Sequence, residues 1–381
     1  MDSADLPETL TPRVRRAIGL MTIAVTVIVG ASLYYLRPWE AFRPAPIVTS
    51  KVALSGVANF GLVYDFQSSA LGWGMEVKPS DDTGVEGEFW IWRTVDGARH
   101  WELQLHGKTA AASSTYVSFR FIDGRNGVVV GGTPLVLYRT TDGGAHWASA
   151  PLPAQNAPEV QFVDVRHAWL SHGGRESYLP QPLWLSADGG ETWTQLPALP
   201  SDSSGQPDFR NPREGWIGAS SNGTPHAYVT RDGGWTWKSV DIPARFKGTD
   251  EQPAWTWIEL PPGNGLIANI GFRESVETMT TRDGGATWRD VGLADGRPLN
   301  SFSYLDAERW WASFGDNLYK SEDAGNTWTQ ASNLPSGTYL LKVLDSRHAW
   351  AGPENPESGY LELTSDGGDH WTELRAPLAV S

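Results

Sequence analysis

Seven aspartates of the 381-residue chain recur in one setting, Ser/Thr-x-Asp-x-Gly-x-x-Trp. They are Asp96, Asp142, Asp188, Asp232, Asp283, Asp323 and Asp366. Each is followed five residues later by a tryptophan: Trp101, Trp147, Trp193, Trp237, Trp288, Trp328 and Trp371. A carboxylate held in a glycine turn is a candidate general acid or hard-cation ligand. An enzyme needs one such site, whereas seven equivalent copies about 45 residues apart belong to a repeated structural part. The motif suits a turn. Asp and Ser/Thr side chains bond nearby backbone N–H groups, and glycine accepts the left-handed conformations that a tight reversal demands. The tryptophan then opens the next strand and buries a large ring. The first copy departs from the pattern, with Ala98 where the others have glycine.

Other residues that carry chemistry are scarce or scattered. The chain has no cysteine, which excludes disulfides, thiolate metal sites and cysteine nucleophiles. Of eight histidines, His100, His146 and His370 hold the penultimate position of the repeated turn, and His167 and His348 sit in a second matching turn. A zinc site needs three to converge, and positions spread over a repeat do not, so no metal is expected. Nucleophile-elbow, P-loop and His-Glu-x-x-His patterns are absent. Among 44 acidic residues no facing pair of the glycosidase kind is singled out by its setting. The sequence therefore assigns no catalytic residue and no cofactor. With 30 basic residues the formal charge is −14, a poor match to a phosphate backbone, so no nucleic acid is expected as a partner.

A second, weaker repeat precedes each turn: an aromatic or apolar residue, a polar turn, and an aromatic or apolar residue seven positions on. The pairs are Phe66/Trp73, Phe121/Val128, Phe162/Trp169, Phe209/Trp216, Tyr304/Trp311 and Val343/Trp350, with a degenerate copy over Trp257–Leu266. An acid or Asn often lies two residues after the first member, as in Asp123, Asp164, Asn211, Asp306 and Asp345. Two hairpins per unit give four strands. Units of about 45 residues containing four antiparallel strands predict an all-β, seven-bladed β-propeller over residues 57–378.

The turns are similar to the Asp-box, or bacterial neuraminidase repeat, found in sialidases, sortilin-type receptors and xyloglucanases. Joined to a Phe-x-Asp-x-x-x-Gly-Trp hairpin, as in Phe209–Gly218, the combination resembles the photosystem II stability/assembly factor family over nearly the whole body. That resemblance implies a non-catalytic scaffold for membrane-protein assembly intermediates, with a protein or peptide as partner. The runner-up is a glycoside hydrolase, sialidase-like or xyloglucanase-like, or a carbohydrate-binding propeller with a glycan ligand.

In a four-stranded meander the two repeat-bearing turns share one face of the disc, here the turn face. Loops between second and third strands, and between blades, share the opposite loop face. The long segments Glu76–Glu88, Ser171–Pro182 and Pro353–Gly359 fall on the loop face. Variable loops on a rigid scaffold are where recognition usually sits. Asp81, Asp82, Glu86, Glu88, Tyr178, Phe272 and Arg273 are accordingly candidates for a binding face, and their acidity calls for a basic surface on a partner such as a membrane protein.

Residues 17–36 form an uncharged apolar run of 20 residues, long enough at 1.5 Å per residue to cross a bilayer. Arg13, Arg15 and Arg16 precede it, which places residues 1–16 in the cytoplasm and the propeller, beyond a linker at 37–56, in the periplasm or outside the cell. The expectation is an uncleaved signal-anchor. Small residues at Val29-Gly30-Ala31 also fit a cleaved signal peptide.

Overall fold

The computed structural model describes residues 61–78, 87–109, 117–154, 158–172, 181–248, 254–272, 275–293, 299–335, 338–353 and 360–375. The expected tail, membrane-spanning run and linker lie outside the described residues. Among the described residues no helix is long and apolar enough to cross a membrane.

Seven four-stranded antiparallel sheets follow one another along the chain, each built from four consecutive strands. These are the seven blades, spanning 61–109, 118–151, 158–196, 203–241, 255–290, 300–333 and 338–375. First strands lean on first strands around the axis. Phe121 N–H of blade 2 donates to Asp65 Oδ2 of blade 1 at 2.7 Å, Phe209 N–H of blade 4 to Gln161 Oε1 of blade 3 at 2.8 Å, and Val343 N–H of blade 7 to Ser303 Oγ of blade 6 at 2.9 Å.

Strand alternation explains the spacing of the hairpin repeat. In blade 4, Asp208 faces Trp216 across the hairpin and Phe209 faces Gly215. Phe209 and Trp216 therefore point to opposite faces of the sheet. One ring meets the blade before and the other meets the blade after. Trp73 of blade 1 stacks on Phe121 of blade 2 with centroids 3.5 Å apart, and Trp169 of blade 3 stacks on Phe209 of blade 4 at 3.8 Å. Such pairs add about 0.5–1.5 kcal/mol beyond the area they bury. The glycine of the Gly-Trp pair has a steric cause: a Cβ on Gly215 would lie 2.5 Å from the Phe209 ring, and Gly72 and Gly127 are covered in the same way by Phe66 and Phe121.

The ring closes by side-chain packing. Blades 1 and 7 each own all four of their strands, so among the described residues no strand is exchanged. Phe66 of blade 1 stacks on Trp350 of blade 7 at 3.7 Å, and Lys342 Nζ stands 3.9 Å from Asp65 Oδ1. Ala98, the exception in the turn repeat, is buried at this seam beside Phe66 and Trp350 and holds a left-handed φ of 67°.

Blade 5, whose repeat is degenerate, forms its first hairpin from Trp255–Glu259 and Leu266–Phe272. Its turn lacks the acid, and two of its carbonyls, Pro261 O and Gly265 O, accept instead from Arg210 of blade 4.

Candidate functional site

The seven repeated turns share one hydrogen-bond scheme. The Ser or Thr hydroxyl donates to Asp Oδ1, as from Thr140 to Asp142 at 2.9 Å, and accepts from the N–H four residues on, Gly144, at 2.9 Å. Asp Oδ1 also accepts the penultimate N–H of the turn, from His146 at 2.9 Å. The same bonds recur in every copy. The second carboxylate oxygen is taken by the penultimate side chain. In blades 1, 2 and 7 it is the ring nitrogen Nδ1 of His100, His146 or His370, at 2.6, 2.6 and 2.7 Å. In blades 3 to 6 it is the hydroxyl of Thr192, Thr236, Thr287 or Thr327, at 2.5 to 2.7 Å. Those threonines were not singled out in the sequence, although the signal was there: the position is always His or Thr, and both reach one carboxylate oxygen.

The carboxylates respond as bonded groups do. The His100 ring and N–H hold Asp96 at about 2, and the Thr287 hydroxyl and N–H hold Asp283 at about 2. The repeated tryptophans lie against their own turns or the neighbouring core. Trp147, Trp288 and Trp328 donate their indole N–H to the turn glycine carbonyl at 2.9 to 3.1 Å. Trp101, Trp193, Trp237 and Trp371 pack on the cores at the seams.

Within a blade the two turns are stitched together. Gly143 N–H donates to Arg125 O, Gly189 N–H to Arg166 O, Gly233 N–H to Arg213 O and Gly367 N–H to Arg347 O, at 2.7 to 2.8 Å. This places the Arg125, Arg166, Arg213 and Arg347 side chains at equivalent, exposed points of the turn face. Between blades, cations reach forward to the next turn. Arg139 Nη1 donates to Asp188 O and Gly189 O, and its Nη2 pairs with Glu191 at 2.9 Å. Lys320 Nζ bonds Gly367 O at 2.6 Å and lies over the Trp311 ring.

Near the axis, the residues opposite the second member of each hairpin pair are Asp65, Arg120, Gln161, Asp208, Glu259, Ser303 and Lys342. Three of the seven, Asp65, Asp208 and Glu259, are carboxylates. Asp65 bonds Phe121 N–H and lies beside Lys342. Asp208 accepts from Gln161 Nε2 and from Leu260 N–H, and burial raises its pKa. Glu259 accepts from Tyr304 Oη at 2.6 Å, Asn269 Nδ2 at 2.8 Å and Trp257 Nε1 at 3.3 Å. Burial, and then Glu259, pushes the Tyr304 phenol well up.

Of the expected loop-face site, Asp81, Asp82, Glu86, Tyr178 and Arg273 lie outside the described residues. The two ends of the Glu76–Glu88 segment are not loop. Glu76 is in the second strand of blade 1, Gly72–Lys78, buried and accepting from Trp92 Nε1 at 3.2 Å. Glu88 is in the third strand, Gly87–Thr94, half-buried with its Oε1 3.3 Å from His106 Nε2. Phe272 ends the second strand of blade 5 and packs on the core between blades 4 and 5. None of these three presents a free loop side chain. Among the described residues no group of three or more His, Asp or Glu is placed to hold a metal ion.

No protein-family model matches the chain, and no curated protein matches it. Solved structures do. YCF48 from Cyanidioschyzon merolae is similar with a TM-score of 0.51 at 16% identity, over 85% of this chain and 98% of that one. The GH74 xyloglucanase from Xanthomonas campestris gives 0.56 at 14% identity, over 84% of this chain and 55% of the enzyme. Acylaminoacyl peptidase from Pyrococcus horikoshii gives 0.55 at 11%, over 84% and 52%. What these likenesses share with this chain is a fold, the seven-bladed propeller of four-stranded antiparallel blades.

Proposed function

We propose that this chain is a non-catalytic, membrane-anchored, extracytoplasmic binding or assembly scaffold built on Asp-box repeats. One observation carries the reading: the seven repeated aspartates and the carboxylates of the axial ring are all bonded within the fold. A general acid or nucleophile must meet substrate, and these groups meet backbone N–H, hydroxyls and neighbouring blades. The apolar run 17–36 supplies the anchor, and the arginines before it keep the short tail in the cytoplasm. The partner is a protein or peptide. The test is cross-linking of the full-length chain in intact membranes, followed by assay of the purified protein on xyloglucan and sialosides. A stoichiometric protein partner without glycan turnover is expected. Turnover that Asp208→Asn abolishes while leaving the melting temperature unchanged would replace the scaffold with a glycoside hydrolase.

A further inference from the structure

Three Asn-Gly pairs occur in the chain: Asn126-Gly127, Asn222-Gly223 and Asn264-Gly265. In such a pair the glycine amide nitrogen can attack the asparagine side-chain carbonyl, because glycine has no side chain to shield it and asparagine is chemically labile. The sequence makes the three equivalent, and the fold does not. Attack needs an accessible side chain, an unengaged glycine N–H and a backbone able to bring the two together.

Asn126 is held. Its Nδ2 donates to both oxygens of Asp123, at 3.0 and 2.8 Å, and Gly127 opens the second strand of blade 2, covered by the Phe121 ring. Asn222 is exposed but tightly turned. It and Gly223 are the two residues between the strands Gly215–Ser221 and Thr224–Thr230, with φ of 47° and 71°. Positive φ at both central residues is the geometry of a type I′ reversal, which ring closure would break. Gly223 is also buried, and its carbonyl is held by Gly248 N–H at 2.7 Å.

Asn264 lies in the first turn of blade 5, between the strands Trp255–Glu259 and Leu266–Phe272. The six other blades fix this turn with three bonds, which blade 4 illustrates. Arg210 N–H donates to Glu214 O at 2.9 Å and closes the turn. Asn211 Oδ1 caps Glu214 N–H at 2.9 Å, and Gly233 N–H of the second turn donates to Arg213 O at 2.8 Å. Each bond recurs in blades 1, 2, 3, 6 and 7, with Ser68, Asp123, Asp164, Asp306 and Asp345 as the caps. Among the described residues blade 5 makes none of the three. Pro261 stands at the place of Arg210 and has no N–H to give, and Pro262 stands at the place of the cap. Gly265 takes the place of Glu214, so the nitrogen that is capped in six blades is uncapped in this one. The Asn264 side chain is exposed and bonds nothing among the described residues. What holds the turn is the Arg210 guanidinium, which grips Pro261 O and Gly265 O and leaves the Gly265 nitrogen unengaged.

We propose that Asn264 is a site of spontaneous covalent modification, singled out from the other two pairs by this missing set of bonds. The Gly265 amide nitrogen bonds to Asn264 Cγ, and its proton leaves with the side-chain NH2 as ammonia. The succinimide so formed takes up water at one of its two carbonyls. Opening at one gives aspartate, and opening at the other gives isoaspartate, whose main chain runs through the former side chain. Either product puts a carboxylate next to a carbonyl that Arg210 grips. The isoaspartate also lengthens the chain between Pro261 O and Gly265 O, so the modification alters the contact from blade 4 to blade 5. It is independent of the scaffold reading.

The test incubates the full-length chain in detergent at physiological pH and temperature for days, with samples digested and read by mass spectrometry. Exchange of NH for O marks the product, and electron-transfer fragmentation separates isoaspartate from aspartate. Conversion at Asn264 should run about ten-fold or more faster than at Asn126 and Asn222. In concentrated urea, where the fold no longer discriminates, the three rates should converge. Pro262→Asp puts an acid where blades 2, 3, 6 and 7 have one and should slow conversion at Asn264 by about ten-fold, with an unchanged or higher melting temperature. Asn264→Gln should remove the product. A native-state rate at Asn264 no faster than at the other two pairs, or one that Pro262→Asp leaves unchanged, overturns the proposal. So does a product that is aspartate alone, since that means hydrolysis without attack by Gly265.

Discussion

The seam between blades 3 and 4 and the seam between blades 2 and 3 use the same strand positions and solve the same problem differently. At the first, Trp169 stacks on Phe209 and its indole N–H donates to Gly233 O at 2.9 Å, while Leu185 stands opposite it in the hairpin. At the second, Val128 and Arg139 hold those two positions, and the carbonyl equivalent to Gly233 O, that of Gly189, is satisfied by the guanidinium at 2.9 Å. Blade 1 carries both devices, with Trp73 donating to Gly143 O at 3.2 Å and Arg93 lying over its ring. A blade interface has two requirements, a filled volume and a satisfied turn carbonyl. One tryptophan meets both, and an arginine with a valine meets only the second. What remains is a cavity of about 260 Å³ between blades 2 and 3, lined in part by Val128, Arg139, Phe162 and Asp188.

Removing the ring where it does both jobs should have the largest effect. Trp169→Ala takes away a fully buried side chain and leaves Gly233 O without its donor, so a loss of about 3–5 kcal/mol is expected in urea unfolding. A loss under about 1 kcal/mol would mean that the seam collapses onto the gap and that the two seams are not distinct in kind.

Arg139→Leu tests the other half of the comparison. It places in blade 2 the residue type that blade 3 has as Leu185, but without the tryptophan, so the Asp188 and Gly189 carbonyls lose a half-buried donor at a cost of about 1–3 kcal/mol. The double variant Val128→Trp with Arg139→Leu rebuilds the arrangement of the seam between blades 3 and 4 and should recover most of that loss. The measurement is a double-mutant cycle, and additive effects would show that ring and guanidinium do not substitute for each other.

Much of this was legible in the chain and some was not, for reasons particular residues show. The turns, their number and the four-stranded unit follow from local bonding, because Asp142 and Thr140 find their partners within six residues. The hairpin pairs were legible as pairs but not as contacts. Phe209 and Trp216 share a hairpin, yet each packs against a different blade, and only three-dimensional closure says which. Glu76 reads as a loop acid beside a run of polar residues, but its strand carries it inward to the Trp92 indole, a partner 16 residues away. Arg139 looks like any strand arginine until the turn of blade 3 is placed over it. Local chemistry is written in neighbouring residues, and seam chemistry is written in residues about 50 apart.

The smallest effect concerns the same lesson, one position met by two chemistries, at the penultimate residue of the turns. His370 binds the carboxylate of Asp366 where blades 3 to 6 use threonine, and His370→Thr should keep the fold and its turn. The difference lies in pH. Hydrogen bonding to Asp366, followed by its charge, raises the imidazole pKa of His370, so its contribution is fully present below the ordinary value of ~6.5 and fades as pH rises through the raised value. Asp366 is depressed in turn, chiefly by the His370 N–H and then its ring, so its share is present above the usual carboxylate range and is lost as pH falls through the lowered value. Threonine keeps the N–H and supplies a hydroxyl, so the acid limb should survive the substitution while the imidazole limb vanishes. Melting temperatures of the two chains should therefore converge toward about pH 8 and separate toward about pH 6, with the native chain the higher. Parallel curves over that range would show that the histidine serves only as a neutral donor, as threonine does.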